Sequence, residues 1–160
     1  MVSSDGFVIE EVANVVATWP DLEPLVLGIL DFHRPWDARE LRPDWATPMK
    51  EYMATHGMTL VARNNAGAAI AFLHGTVGPE VGIYEGVFGH IDNAFVLEAE
   101  RSHGVGKALV ERFEQWCRSH GAAEIRLDVA EGNVVGLGFW RRSGFEISMQ
   151  AMRKKLVVPS

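Results

Sequence analysis

The chain has little cysteine and no long apolar run. Cys117 is the single cysteine among 160 residues, which excludes an internal disulfide framework and a cysteine-rich zinc site. The six histidines are scattered, so we expect no bound metal. No apolar stretch approaches the roughly 18–20 residues of a membrane-spanning helix, and the first residues lack the basic-then-apolar pattern of a secretory signal. These deficits predict a cytoplasmic protein with no membrane partner.

Basic residues are scarce in the first half of the chain. Residues 1–80 hold 11 acidic and 5 basic residues, whereas residues 81–160 hold 10 of each. This distribution argues against a nucleic-acid partner, which needs a broad basic face. The acidic half would suit a cationic acceptor such as an amine, and a solvated acidic surface is the alternative. The length and the 48% of apolar residues fit a single domain over residues 1–160.

Hydrophobic periodicity predicts an α/β (α+β) fold, a mixed sheet with helices on both faces. Because a helical stretch connects residues 90–97 to residues 124–130, these two strands are expected to run parallel. The predicted strands are 7–13, 58–63, 68–77, 90–97, 124–130 and 145–152. The predicted helices are 20–30, 45–56, 105–120 and 133–142, and a long glycine-rich loop is expected at 78–89.

A glycine-spaced loop follows the predicted strand 90–97. It reads Arg-Ser-His-Gly-Val-Gly-Lys-Ala over residues 101–108. Amide groups at the start of a helix lack intrahelical partners and bind anions, and glycine lets the backbone approach a phosphate. A Walker loop would need glycine in place of Arg101, and a dinucleotide fingerprint would need glycine in place of Leu109. The loop therefore predicts a site for another phosphorylated cofactor, with an ordinary strand-to-helix turn as the alternative.

The pattern R-x-x-G-x-G-x-A after a strand resembles the acetyl-CoA pyrophosphate loop of the GNAT superfamily of N-acetyltransferases. A second stretch, N-V-V-G-L-G-F-W-R-R-S-G-F over residues 133–145, is similar to the family pattern N-x-x-A-x-x-F-Y-x-x-x-G-F. Gly136 replaces the alanine of that pattern, and Trp140 replaces its tyrosine. The resemblance covers residues 58–152 as the core with the cofactor site. Residues 1–57 agree only in having two helices, which would lie on the acceptor side.

The resemblance implies a GNAT fold, a mixed and mostly antiparallel sheet whose parallel strands, here at residues 90–97 and 124–130, splay apart next to the loop. The pantetheine arm of acetyl-CoA would pair with backbone exposed in the gap, and the pyrophosphate would lie on the amide groups of residues 103–108. Arg101 could contact the cofactor or brace the loop, and Asn133 could bind pantetheine or cap its helix. The implied cofactor contacts are Phe95, Val96, Leu97, Arg101, Ser102, His103, Gly104, Val105, Gly106, Lys107, Ala108, Asn133, Phe139 and Trp140.

The implied chemistry is attack of an amine on the acetyl thioester, which needs a general base. Histone-acetylating relatives carry a glutamate on the loop-feeding strand, and that register falls here on His90, whose imidazole suits neutral pH. Asp92 lies two residues on and shares its strand face, so it could hold the imidazole or act itself. Glu85, in the glycine-rich loop, is the next candidate. Trp140 stands where many members carry a tyrosine acid, and an indole is a poor acid.

The sequence thus predicts an N-acetyltransferase that moves an acetyl group from acetyl-CoA to a primary amine of a small molecule or peptide. Trp140 motivates one alternative, a non-catalytic acyl-CoA-binding or regulatory domain with the same fold. An acyltransferase that uses a longer acyl group is another alternative. Related proteins are often dimers, which makes a homodimer the assembly to test.

Overall fold

The structure is a computed structural model that describes residues 5–159. No helix in this range is long and apolar enough to cross a membrane. The strands are β1 (Phe7–Glu11), β2 (Met58–Asn64), β3 (Ala69–Pro79), β4 (Val87–Val96) and β5 (Glu124–Arg126). The helices are α1 (Val15–His33), α2 (Ala46–Thr55), α3 (Val105–Ser119) and α4 (Val134–Arg142), with a short 3-10 turn at Glu98–Glu100.

The five strands form one mixed sheet in the order β1-β2-β3-β4-β5. The first four strands are antiparallel to their neighbours, and β4 runs parallel to β5. The parallel pair is short, because it joins only residues 88–90 to residues 124–126. Beyond His90, β4 keeps β3 as its strand partner on one edge and separates from β5 on the other. The predicted mixed sheet with a splayed parallel pair is therefore confirmed.

Helices cover both faces of the sheet, as predicted. On one face α3 buries its apolar stripe against β2, β3 and β4, and α4 packs at the edge of the same cluster. On the opposite face α1 and α2 pack against the central strands. The α3-side cluster includes Leu60, Leu73, Ile91, Leu109 and Phe113. The α1-side cluster includes Leu22, Leu25, Val26, Val61 and Phe72.

Helix α1 begins at Val15, so the predicted start at Pro20 is wrong. The side chain of Asn14 caps the helix, because its Oδ1 accepts the Ala17 N–H at 3.0 Å. Pro20 and Pro24 lie inside the helix, where each removes one backbone hydrogen bond. A buried apolar stripe runs past both prolines, so packing against the sheet outweighs those losses. Its members are Val15, Trp19, Leu22, Leu25, Val26 and Ile29.

The loop predicted at residues 78–89 is shorter than expected. Strand β3 extends to Pro79 and β4 starts at Val87, which leaves residues 80–86 as the connection. The two strands continue to pair through their glycines, since Gly78 lies opposite Phe88. Tertiary pairing therefore overrides the low strand preference of glycine.

Two predicted strands differ at the C-terminal side of the sheet. The strand expected at residues 124–130 is limited to Glu124–Arg126. The closing strand expected at residues 145–152 is wrong, because these residues form no strand and residues 146–152 are exposed. Alternating apolar residues form a strand only where a neighbouring edge supplies hydrogen-bond partners, and β5 ends too early to supply one.

The packing of α1 on β4 yields a stability prediction. A Cβ added at Gly28 in α1 would lie 2.5 Å from Cε1 of Phe95, whereas one at Gly138 in α4 would meet only the flexible Arg142 guanidinium at 3.1 Å. Both positions are helical, so alanine adds about 1 kcal/mol of helix preference at each. We expect Gly28→Ala to lower the free energy of unfolding by about 1–2 kcal/mol through overpacking, and Gly138→Ala to raise it.

Urea unfolding of both variants measures this difference, with the slope of the transition as a check on two-state behaviour. Equal stabilisation by the two substitutions would contradict the close contact between α1 and β4.

Candidate active site

A β-bulge at Asp92 sets the direction of the side chains of β4. His74 pairs with Asn93 and Gly75 pairs with Ile91, so Asp92 has no partner residue in β3. An extra residue of this kind interrupts the regular alternation of a strand and re-aims its side chains. Ile91 is buried under α3, whereas Asp92 contacts Tyr52 of α2 on the opposite face. Alternation from Ile91 places the Asp92 carboxylate on the side of the sheet that α1 and α2 cover, and the bulge then returns Ala94 and Val96 to the α3 side.

His90 and Asp92 form a hydrogen-bonded pair on that face. Nδ1 of His90 lies 2.8 Å from Oδ1 of Asp92, and the two side chains are 42% and 19% exposed. A carboxylate at this distance fixes the proton on Nδ1 and leaves the Nε2 lone pair free, which is the arrangement of a general base. Glu85 is exposed in the 80–86 connection, before β4 starts, so the structure does not bring it to this pair.

Four further side chains contact the same carboxylate or its partners, and sequence reasoning missed them. The hydroxyl of Tyr52 in α2 donates to Oδ2 of Asp92 at 3.3 Å. Nε2 of His74 in β3 lies 3.5 Å from the same oxygen. Oγ1 of Thr59 in β2 is 2.9 Å from Nδ1 of His74. His56 stacks on the Tyr52 ring with 4.5 Å between centroids. Asp92 is thus the centre of a polar cluster whose members come from β2, β3, β4 and α2, with His56 directly after α2.

The sequence contains only a weak signal for this cluster. Tyr52 and His56 are four residues apart, a spacing that places them on one helix face. Thr59 and His74 interrupt the otherwise apolar strands β2 and β3. A polar residue in a buried strand indicates a hydrogen-bond partner, but the partner's identity depends on strand register.

Burial determines the protonation of the inner members of the cluster. Removal from water lowers the pKa of His74, with His56 adding to the effect and Asp92 opposing it. Burial, followed by the Asp92 charge, raises the pKa of Tyr52. His74 is therefore neutral and Tyr52 protonated at neutral pH, so the cluster holds hydrogen-bond donors without adding a cation.

Beyond His90, the edge of β4 that faces β5 has no strand neighbour among the described residues, and this free edge lies close to the polar cluster. Leu97 N–H donates to Ile70 O in β3 at 3.0 Å. Because successive residues of a strand point their backbone groups to opposite edges, Ala94 and Val96 face the gap left by β5. Phe95, Val96 and Leu97 are the three predicted contacts on this strand. The amide of Leu97 is hydrogen-bonded to β3, whereas the amide of Val96 points into the gap. Phe95 packs its ring on Gly28 of α1.

The loop between β4 and α3 adopts two left-handed backbone conformations. Ser102 has φ 67° and Gly104 has φ 83°, values that only glycine adopts without strain. Helix α3 begins at Val105 with no side-chain cap, whereas Asn14 and Asn133 cap α1 and α4. The first amide groups of α3 are therefore open to an anion. Ala108 is an exception among the predicted contacts, because its N–H donates to Gly104 O at 3.0 Å.

Arg101 braces this loop from the sheet side. Its Nε donates to Val96 O at 3.0 Å, and its guanidinium carbon lies 5.3 Å from the Phe32 ring centre and 5.6 Å from that of Phe95. The contact occupies the carbonyl of Val96 and leaves its N–H as the donor at the free edge. Lys107 is exposed on the first turn of α3, with Nζ 3.8 Å from Glu111.

Asn133 caps α4 from a nearly buried position. Its Oδ1 accepts the Gly136 N–H at 2.9 Å. A Cβ at Gly136 would collide with the amide of Asn133 in this arrangement, which explains why glycine suits a position where the family pattern has alanine.

Trp140 is part of an aromatic stack on α4. Its ring meets Phe139 and Phe145 edge-to-face, with centroid separations of 4.9 and 5.3 Å. Phe139 in turn lies against the first turn of α3, where a Cβ on Gly106 would be 3.1 Å from its ring. The hydroxyl of Ser143, another potential acid, donates to Phe139 O at 3.0 Å. The stack therefore joins α4 to the glycine-spaced loop through packing.

Comparison with known proteins agrees with this geometry. Residues 26–145 match the model of the acetyltransferase (GNAT) family. The chain belongs to the GNAT family. It is 29% identical over 86 residues to an aminoglycoside N(6')-acetyltransferase type 1 of Acinetobacter haemolyticus, covering 54% of this chain and 54% of that relative. The match thus spans about half the length of the curated relative.

Solved structures share the same GNAT fold over nearly the whole chain. A mutant of the BH1408 protein from Bacillus halodurans superposes with a TM-score of 0.81 at 18% identity, over 94% of this chain and 99% of that one. The aminoglycoside N-acetyltransferase AAC(6')-Iy, solved in complex with CoA, gives a TM-score of 0.74 at 19% identity over 94% of both chains. Acetyl-CoA is the cosubstrate of the GNAT family.

The residues of this GNAT chain fit such a cosubstrate. The uncapped start of α3, with its left-handed glycine, has the donor groups that a pyrophosphate requires. The gap between β4 and β5 exposes backbone that an extended arm can pair with. Both features lie at the C-terminal end of β4, so one elongated ligand can contact them together.

The buried imidazole of His74 yields a pH prediction. Its folded-state pKa lies below the ordinary value of 6.5, so below that pH the unfolded chain binds a proton more readily than the folded one. Its contribution to stability is therefore complete above pH 6.5 and is lost as the pH falls toward the folded-state pKa. We expect the free energy of unfolding to decrease between pH 7 and pH 5, and His74→Phe to flatten that decrease.

Urea unfolding at pH 7, 6 and 5 tests this sign for the wild type and the variant. His103→Gln is the control, because the His103 side chain is exposed in the loop before α3. A variant slope equal to that of the wild type would show that His74 does not titrate differently on folding.

Proposed function

We propose that the chain is an N-acetyltransferase that moves an acetyl group from acetyl-CoA to a primary amine of a small cationic molecule. The observation that carries this proposal is the His90–Asp92 pair, which lies on β4 where the strand separates from β5 and its free edge begins. A base and a cosubstrate groove on one strand are the two parts that acyl transfer to an amine requires. A non-catalytic acyl-CoA-binding domain would have no need of the oriented imidazole.

His90 is the proposed base. Its Nε2 accepts a proton from the ammonium group of the acceptor, which frees the nitrogen lone pair for attack, while Asp92 accepts the Nδ1–H hydrogen bond and stabilises the imidazolium that forms. The nitrogen loses its second proton to solvent after the attack. Acetyl-CoA supplies an acetyl thioester, whose carbon–sulfur bond breaks as the new carbon–nitrogen bond forms. The N–H of Val96 is the proposed donor to the carbonyl oxygen on which negative charge develops. Arg101 favours this role, because it donates a hydrogen bond to the carbonyl oxygen of Val96 and leaves the N–H of the same residue available.

Neither side chain considered as an acid at α4 is available for proton transfer. Trp140 has a weakly acidic N–H and is held in an aromatic stack. The proton of Ser143 is directed to Phe139 O. We therefore assign protonation of the thiolate product to solvent, which has access because α4 is largely exposed or half-buried.

A cationic acceptor is supported by charge and by the relatives. The acidic excess of the chain lies within residues 1–80, which include α1 and α2 on the face toward which Asp92 points. The curated relative and one solved neighbour are named aminoglycoside acetyltransferases. An amino sugar or a polyamine combines several ammonium groups in a small molecule, and it would be attracted to this half of the chain.

The pyrophosphate site predicts a loss of cofactor binding in Gly104→Glu. The new side chain would introduce negative charge and a strained left-handed residue at the start of α3. We expect acetyl-CoA affinity to fall by at least about 100-fold, measured by isothermal titration calorimetry. Gly121→Glu is a matched control at the other end of α3, because Gly121 also has positive φ and open space around its Cβ. Similar losses in both variants would remove the loop from the binding site.

The base predicts a catalytic loss in His90→Gln with intact cofactor binding. We expect kcat/KM for the amine at pH 7 to fall by about 10²-fold or more, while the acetyl-CoA Kd stays unchanged. His120→Gln, at the end of α3, is the control. Thiol release is measured with sisomicin, spermidine, phenethylamine and a lysine peptide as acceptors. Tight acetyl-CoA binding without turnover of any amine would favour the non-catalytic alternative.

A further inference from the structure

His74 is a fully buried histidine with one ring nitrogen that makes no hydrogen bond. Its side chain is 0% exposed, and Nε2 has no hydrogen-bond partner within the described residues. A buried polar atom without a partner lowers stability, so its retention calls for an explanation. The atom lies 3.5 Å from Oδ2 of Asp92, just beyond an ordinary hydrogen bond.

The contacts of His74 determine which nitrogen carries its proton. Thr59 Oγ1 lies 2.9 Å from Nδ1 and can either donate to that nitrogen or accept from it. A proton on Nδ1 would leave the Nε2 lone pair facing a carboxylate oxygen in a dry interior. A proton on Nε2 instead directs an N–H at that oxygen and lets the Thr59 hydroxyl donate to Nδ1. The Asp92 charge therefore favours the second tautomer, and the Thr59 hydroxyl supports it by donating to Nδ1.

We propose that His74, in the tautomer that the Thr59 hydroxyl supports, is a positioning residue that holds the Asp92 carboxylate in the orientation in which it accepts the His90 Nδ1–H. This inference rests on the proposed role of His90 as the base. It adds two buried residues from β2 and β3 to the pair on β4. The order of contacts is Thr59, His74, Asp92 and His90, and it ends at the Nε2 atom that would take the proton.

The other group at Oδ2 cannot perform this task alone. Tyr52 donates at 3.3 Å, but its side chain is partly exposed and stacks on His56 at the end of α2. The exposed Tyr52 side chain can donate its hydrogen bond to water instead of Asp92. His74, in contrast, is fixed in the core by β2, β3 and the Tyr52 ring. The titratable groups that face His74 are thus Tyr52 and His56 from α2 and Asp92 from β4. Asp92 is the one anion among them.

Two pairs of variants separate positioning from packing. His74→Phe keeps an aromatic ring and removes the N–H, while His74→Gln keeps a donor near the Nε2 position. Thr59→Val keeps the shape of the side chain and removes the hydroxyl that donates to Nδ1 of His74, while Thr59→Ser keeps the hydroxyl. A role in packing alone predicts that Phe and Val are tolerated best, whereas a positioning role predicts the reverse order. Thr59→Val also serves if His74→Phe fails to fold.

The first measurement is the tautomer of His90 in the free protein, from long-range proton–nitrogen NMR of the imidazole rings. We expect the wild type to show the proton of His90 on Nδ1, and His74→Phe and Thr59→Val to show a mixture of both tautomers. His74→Gln and Thr59→Ser should retain the wild-type signal. An unchanged His90 tautomer in both Phe and Val variants would overturn the proposal. This measurement needs no acceptor, so it remains decisive even if the proposed function fails.

The second measurement is steady-state kinetics with the amine that turns over fastest. A small displacement of a catalytic group costs up to about 100-fold in rate, so we expect His74→Phe and Thr59→Val to lower kcat by roughly tenfold or more. The KM for acetyl-CoA should stay within about twofold of the wild type, because the loop at 101–108 is untouched. Equal kcat values for Phe and Gln at position 74 would also overturn the proposal.

Discussion

The unpaired residue in β4 is the constraint on which the rest of the site depends. Without the bulge at Asp92, regular alternation from the buried Ile91 would carry the faces of β4 unbroken to its end. That alternation already turns Asp92 toward α2, and the bulge shifts the faces by one residue after it, so the Val96 side chain packs on the α3 side while its amide faces the gap beside β5. The acceptor side and the cosubstrate side of the sheet therefore meet within one strand. The early end of β5 at Arg126 completes the arrangement by leaving that edge free.

Sequence reasoning predicted the parts of the site that are local in the chain. The glycine-spaced loop and the His90–Asp92 pair each depend on one turn or one strand, so spacing alone brings their members together. Tyr52 and Asp92 are separated by 40 residues, and Thr59 and His74 by 15. Their contacts depend on strand register and on the packing of α2, which no local pattern encodes. For the same reason the start of α1 was placed too late, because packing of its apolar stripe outweighs two prolines.

Several residues of the family motifs have structural contacts where ligand contacts were also expected. Arg101 braces Val96 O, Asn133 caps α4, and Trp140 fills an aromatic stack. Each contact shapes a surface that a cosubstrate would meet. The replacement of the family tyrosine by Trp140 then changes the chemistry of one position without changing the packing that holds α4 against the loop.

The bracing of the loop by Arg101 has a thermodynamic consequence. The guanidinium joins the loop to the end of β4 and to two aromatic rings, and Gly104 accepts the left-handed turn without cost. The loop is therefore preorganised, and an anion that binds there orders little chain and loses little conformational entropy. A stiff cradle of this kind selects its ligand by shape as well as by charge. A single phosphate would contact only part of it, while a diphosphate of matching length would use its full set of amide donors.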